Sequence, residues 1–166
     1  MAEGGHEESS PECEPVARLL GMTDLFVSND EVLPQVAVSA ELRKDGGAAE
    51  SGYQLALEQY RGVDAEQLLS AARAALSTCT RTSEGNPLKE GAKLGFGDGS
   101  LVLDIEADDK SIVTVTFVRS GTVLFQAVPL GANLSASGSQ AKAPDKAVPS
   151  ELVRAQFDKL VKAQTR

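Results

Sequence analysis

A chain of 166 residues with 42% hydrophobic content is long enough for one domain with a real core, and one domain is expected. It contains no Trp, two Tyr and five Phe, so aliphatic side chains must fill that core and few flat rings remain for stacking bases or sugars. The net charge of −8, with no basic stripe, excludes nucleic acid as an expected partner, because phosphate contacts need clustered Lys or Arg.

The acidity is concentrated at one end. Glu3, Glu7, Glu8, Glu12 and Glu14 fall in the first fourteen residues, and removing those five charges from −8 leaves −3 over the other 152. Residues 1–10 therefore read as a disordered, solvated acidic tail, and 11–166 as the single folded domain. No stretch approaches the roughly 18 consecutive apolar residues of a membrane helix. The residues after Met1 are Gly-rich and acidic, a start compatible both with a precursor that has lost its export signal and with a cytosolic chain.

The first predicted element is a short helix over about 12–20, with Pro15 in its first turn and Gly21 as its stop. Cys13, Val16 and Leu20 share its inner side. A strand follows, in which Val36, Val38, Ala40 and Leu42 alternate to make an apolar face. Asp45-Gly46-Gly47 opens a connection to a second strand over 53–60, antiparallel to the first. The clearest helix runs from Asp64 to about Cys79. Asp64 is its expected N-cap, with Gln67 completing a capping box, and Ala65, Leu68, Leu69, Ala72, Leu76 and Cys79 form one buried face.

A polar loop over 80–91 leads to a short strand over 93–96, then to strands over 101–107 and 112–118 joined by Asp108-Asp109-Lys110. A two-residue hairpin loop at Ser120-Gly121 leads to a strand over 122–128. Residues 131–147, rich in Ala, Ser, Gly and Lys and without periodicity, read as a flexible excursion. The last helix starts at Pro149 and Ser150, with Val153, Phe157, Leu160 and Val161 inward. The order α-β-β-α-β-β-β-β-α implies an α+β fold, a mainly antiparallel sheet flanked by helices.

The chemistry of catalysis is sparse. His6, the only histidine, lies in the tail, so a Ser-His-Asp or Cys-His arrangement and a His-based zinc site are not expected. Gly95-Phe96-Gly97-Asp98-Gly99 is Gly-rich but has no Walker spacing and no following helix; Gly97 and Gly99 read as turn glycines and Asp98 as the cap of that turn. Asp104, Glu106 and Asp108 line the outer face of one strand beside Asp109, whereas Ca²⁺ needs oxygens wrapped round it by a loop, so a solvated face is expected there. Tyr53, Tyr60, Phe96, Phe117 and Phe125 are candidates for lining a pocket, although aromatics on strands are usually core. Cys13 and Cys79 both face inward, which leaves open two buried thiols or one bridge.

Four segments between Pro11 and Ala163 resemble the extracellular sensor-type domain of actinobacterial PknH-like Ser/Thr kinases, a domain also found in secreted lipoproteins. They are Pro11-Glu12-Cys13-Glu14-Pro15; Tyr60-Arg61-Gly62-Val63-Asp64-Ala65 with Leu76-Ser77-Thr78-Cys79; Gly95-Phe96-Gly97-Asp98-Gly99-Ser100; and a strand pair around Gly121 before a closing helix. The resemblance implies export, a Cys13–Cys79 disulfide, and a cleft for a ligand where the Gly97-Asp98 turn approaches the sheet. Gly97, Asp98 and Tyr60 are its candidate residues. The chain departs from the kinases in having no kinase domain and no membrane span. This favours a secreted or cell-surface protein, with any lipid-anchored cysteine upstream.

The expectation is thus a non-enzymatic extracytoplasmic binding domain, with no cofactor and no metal, whose partner is a small molecule or a cell-envelope protein. Two other classes compete with it. A carboxylate- or metal-dependent hydrolase requires at least two acidic groups converging in a concave site. A cell-surface protein-interaction module requires an exposed apolar patch, at a sheet edge or beside the acidic tail.

Overall fold

The computed structural model describes residues 11–21, 35–43, 52–82, 85–107, 110–130 and 147–165. The proposed tail, the Asp45-Gly46-Gly47 connection, Asp108 and Asp109, and nearly all of the 131–147 excursion lie outside them. A 3-10 turn over Pro11–Cys13 leads into α1 (Glu14–Gly21), followed by β1 (Val36–Arg43), β2 (Gly52–Gln59), α2 (Asp64–Ala75), β3 (Leu88–Glu90), β4 (Gly99–Glu106), β5 (Ile112–Ser120), β6 (Val123–Pro129) and α3 (Ser150–Gln164). The order of helices and strands is the one the sequence predicts.

The strands form one antiparallel sheet in the order β1-β2-β6-β5-β4-β3. Residues directly opposite in such a ladder share a face. One face carries Leu101, Leu103 and Ile105 of β4, Val115 and Phe117 of β5, and Leu124 and Val128 of β6. These pack with Val16, Leu19 and Leu20 of α1 and with Ala65, Leu68, Leu69 and Ala72 of α2. The opposite face carries Tyr53 and Leu55 of β2, Val118 of β5, and Phe125 and Ala127 of β6, under Val148, Val153 and Phe157. Two helices therefore cover one side and α3 the other.

Cys13 and Cys79 are joined in a disulfide, with Cα atoms 5.0 Å apart and a separation of 66 positions in sequence. The bridge fastens the turn before α1 to the chain just past α2. In the chain-entropy picture a loop of this length is worth about 4 kcal/mol.

Four local expectations are corrected. The predicted strand over 93–96 is displaced to Leu88–Glu90, inside the expected polar loop. Leu88 is the apolar residue that can be buried opposite Ile105, whereas Leu94 and Phe96 turn to the other side and pack against the α3 cluster. Asp64 is the first residue of α2 and not its cap: Val63 holds the cap position and no side chain bonds there. The Asp64 N–H instead closes a turn on the Arg61 carbonyl at 2.9 Å, while its carboxylate still favours the helix N-terminus. The helix ends at Ala75, although the Cys79 N–H still reaches the Ala75 carbonyl at 2.7 Å. The β5–β6 loop is Gly121-Thr122, since Ser120 still pairs with Val123.

Candidate functional site

The turn before β4 is pressed against the sheet. Gly97 has φ +83°, and a Cβ there would stand 2.6 Å from Val118 Cγ1 and 3.0 Å from the Arg119 carbonyl oxygen. Only glycine fits so close an approach in that conformation. The Asp98 N–H donates to the Arg119 carbonyl at 2.9 Å, and Asp98 Oδ2 accepts the Gly121 N–H at 2.7 Å. Arg119 donates to the carbonyls of Asp98 at 3.1 Å and Gly121 at 3.2 Å, and lies 3.8 Å from Glu66. Asp98 therefore caps the β5–β6 hairpin rather than its own turn, a correction to the sequence reading.

Tyr60 reaches the same hairpin through its backbone, its N–H donating to the Thr122 carbonyl at 2.8 Å. The candidates Gly97, Asp98 and Tyr60 thus converge on Gly121-Thr122, but through hydrogen bonds and packing that hold the hairpin. Their side chains part company there. The Tyr60 ring is buried in the α1/α2 core, while Gly97 faces Val118 and Phe157 of the α3 layer.

Sequence reasoning missed a second polar group. Glu58, Tyr60 and Gln126 project onto the α1/α2 face, and all are buried, at 5%, 2% and 3% exposure. The Tyr60 hydroxyl donates to Glu58 Oε2 at 2.6 Å. Burial pushes the Glu58 pKa above its ordinary 4.5, partly offset by the Tyr60 hydroxyl. The Tyr60 pKa is also raised, by burial first and then by the Glu58 carboxylate. Gln126 Nε2 is buried without a hydrogen-bond partner among the described residues. Gln126 lies opposite Ala56 on β2, so Glu58 is its diagonal neighbour on the same face. Strand alternation alone puts Glu58 on the polar side of β2. Its spacing of two from Tyr60 was the signal that this side is also covered.

The third feature is β1. All eight of its residues are exposed. Its predicted apolar stripe lies on the α3 side of the sheet, opposite Gln59, Leu57, Leu55 and Tyr53, yet Val36 is 54% and Val38 58% exposed. β1 is also the sheet's edge, eight residues long, paired with β2 in unbroken register and free of Pro and Lys, with its two charges, Glu41 and Arg43, confined to its last three residues. Native edges block further pairing with charges, Pro, bulges or short length, and over residues 36–40 β1 has neither a charge nor a Pro.

The acidic stripe is engaged locally. Asp104 Oδ1 accepts the Thr114 hydroxyl at 2.7 Å, and Glu106 pairs with Lys110 at 2.8 Å. No group of three or more His, Cys, Asp or Glu able to hold a metal occurs among the described residues. None of the described helices is long and apolar enough to cross a membrane. No protein-family model, curated protein or solved structure matches the chain.

Proposed function

We propose that this chain is a non-enzymatic binding domain acting outside the cytoplasm, and that it holds a cell-envelope protein by adding an extended segment of that protein to β1. The observation that carries this reading is the exposed apolar stripe on an edge strand without Pro, whose charges, Glu41 and Arg43, pair with each other on the opposite face. An extended segment meets both requirements of such an edge: its main chain continues the ladder, and its alternate apolar side chains sit beside Val36, Val38 and Leu42. The Cys13–Cys79 disulfide is compatible with an oxidising compartment, where such bonds persist. The PknH-like resemblance points the same way, to an exported sensor-type domain. Asp98 supports a small-molecule site less well, because its carboxylate already holds the Gly121 amide.

Photo-crosslinking in the cell of origin tests the reading. A photoreactive residue at Ser39 is expected to give one discrete protein adduct that Val38→Lys abolishes, while the same probe at Lys159 on the wet side of α3 gives none. No adduct from Ser39, or one indifferent to Val38→Lys, rejects β1 as the binding edge. Two free thiols in the protein taken without reductant from its cell of origin reject the compartment.

A further inference from the structure

Among the described residues no helix buries either face of β1, and the ladder with β2 runs along its whole length. Glu58 stands in that ladder, opposite Ala37 of β1 on one side and Leu124 of β6 on the other. We propose that Glu58, Tyr60 and Gln126 form a proton-operated latch inside the sheet that sets how firmly β1 is held. A neutral Glu58 carboxyl is content in its buried site beside the Tyr60 hydroxyl. An ionised carboxylate there needs more than one donor. The buried Nε2 of Gln126, unpartnered among the described residues, is a spare donor on the same face, within the span of two long side chains. Water is the alternative source of donors, and water reaches Glu58 when the outer end of the sheet opens, which releases β1.

The direction follows from the raised pKa. The closed sheet binds the Glu58 proton more tightly than the open one, so the stabilisation is complete below about 4.5 and is lost as pH rises through the elevated value. Other charged groups on this side come from each neighbouring element. β1 presents Glu41 and Arg43, joined at 2.8 Å, and α1 presents Glu14 and Arg18, joined at 2.6 Å. From α2 and its turn come Arg61, Asp64, Glu66 and Arg73, with Glu66 near Arg119 and Arg73 on Glu90. β6 contributes no charged side chain. The causes of the Glu58 shift are burial and the Tyr60 hydroxyl. That the latch controls partner capture rests on the reading of β1 as the docking edge; the latch itself is a property of the isolated chain.

Hydrogen exchange of the full chain without any partner, followed from pH 5 to 8 and corrected for intrinsic rates, tests it. Protection of the β1 and β2 amides is expected to fall on the order of tenfold across the range while β4 and β5 stay constant. Glu58→Gln, which cannot ionise, is expected to flatten that response. Gln126→Met, which removes the spare donor, is expected to steepen it. A flat wild-type response, a slope that survives Glu58→Gln, or one untouched by Gln126→Met overturns the latch. Carboxyl ¹³C NMR gives a check independent of stability: a Glu58 midpoint at or below 4.5 overturns it as well. Partner crosslinking plays no part in these readouts, so the latch and the docking edge fail separately.

Discussion

The two ends of the sheet are built on opposite terms. β4, β5 and β6 lie between α1 and α2 on one side, and α3 packs on the other side over β5 and β6. Here side chains such as Leu103, Val115, Phe117 and Val118 are completely buried. β1 has the same alternating apolar sequence but is exposed along its whole length. The difference does not come from strand propensity, since Val-rich alternation marks both ends. It comes from where the helices land. α1, tied by Cys13–Cys79 to the end of α2, packs with the β4–β6 side, and α3 is anchored by Phe157 over Val118 and Phe125. Neither reaches β1. A similar alternation is therefore core in one place and surface in the other.

The largest way to break the contrast is to cut the staple. The double variant Cys13→Ser/Cys79→Ser is expected to lose about 4 kcal/mol of unfolding free energy, read by urea denaturation, as the loop-closure constraint disappears. A loss under 1 kcal/mol would mean that α1 and α2 hold each other without it. Gly97→Ala comes next, at about 2–3 kcal/mol, because the new methyl meets Val118 and the Arg119 carbonyl in a left-handed conformation. Substituting a residue with space around it, such as Gly121→Ala, isolates the conformational part: its φ is +56° but nothing lies within 4 Å of the added Cβ. If both variants cost the same in thermal melts, the close approach at Gly97 contributes nothing.

Much of the covered half was legible in the sequence, and the reasons are local. The stripe Ala65, Leu68, Leu69, Ala72 fixes the inner side of α2 by periodicity, and Leu101, Leu103, Ile105 does the same for β4. What escaped was decided by distant parts of the chain. Leu88 becomes a strand residue because Ile105 is there to pair with it. Asp98 caps a hairpin more than twenty residues away, which turn chemistry at Gly97-Asp98-Gly99 cannot reveal. Glu58 and Gln126 sit at positions that look wet in a strand covered on one face, and become buried because this sheet has helices on both. The exposure of Val36 and Val38 was equally hidden: an alternating strand states which side is apolar but not whether anything covers it.

The finest comparison puts one substitution at both ends. Val→Thr keeps the β-branch and nearly the same volume, so it leaves strand preference almost untouched and exchanges a methyl for a hydroxyl. At Val115, fully buried in β5, that hydroxyl must leave water, and a loss of about 1–3 kcal/mol is expected. At Val38 it stays hydrated, and the change is expected to fall within about 0.5 kcal/mol of zero. Urea unfolding of the two variants under identical conditions reads the difference directly. The Val38 result also bears on the docking edge. A loss there comparable to that at Val115 would mean that β1 is already covered in the free chain, by itself or by a second copy, and protein-concentration dependence of the midpoint would separate those cases. A change near zero leaves the stripe open in the isolated molecule, which is the condition a partner strand needs.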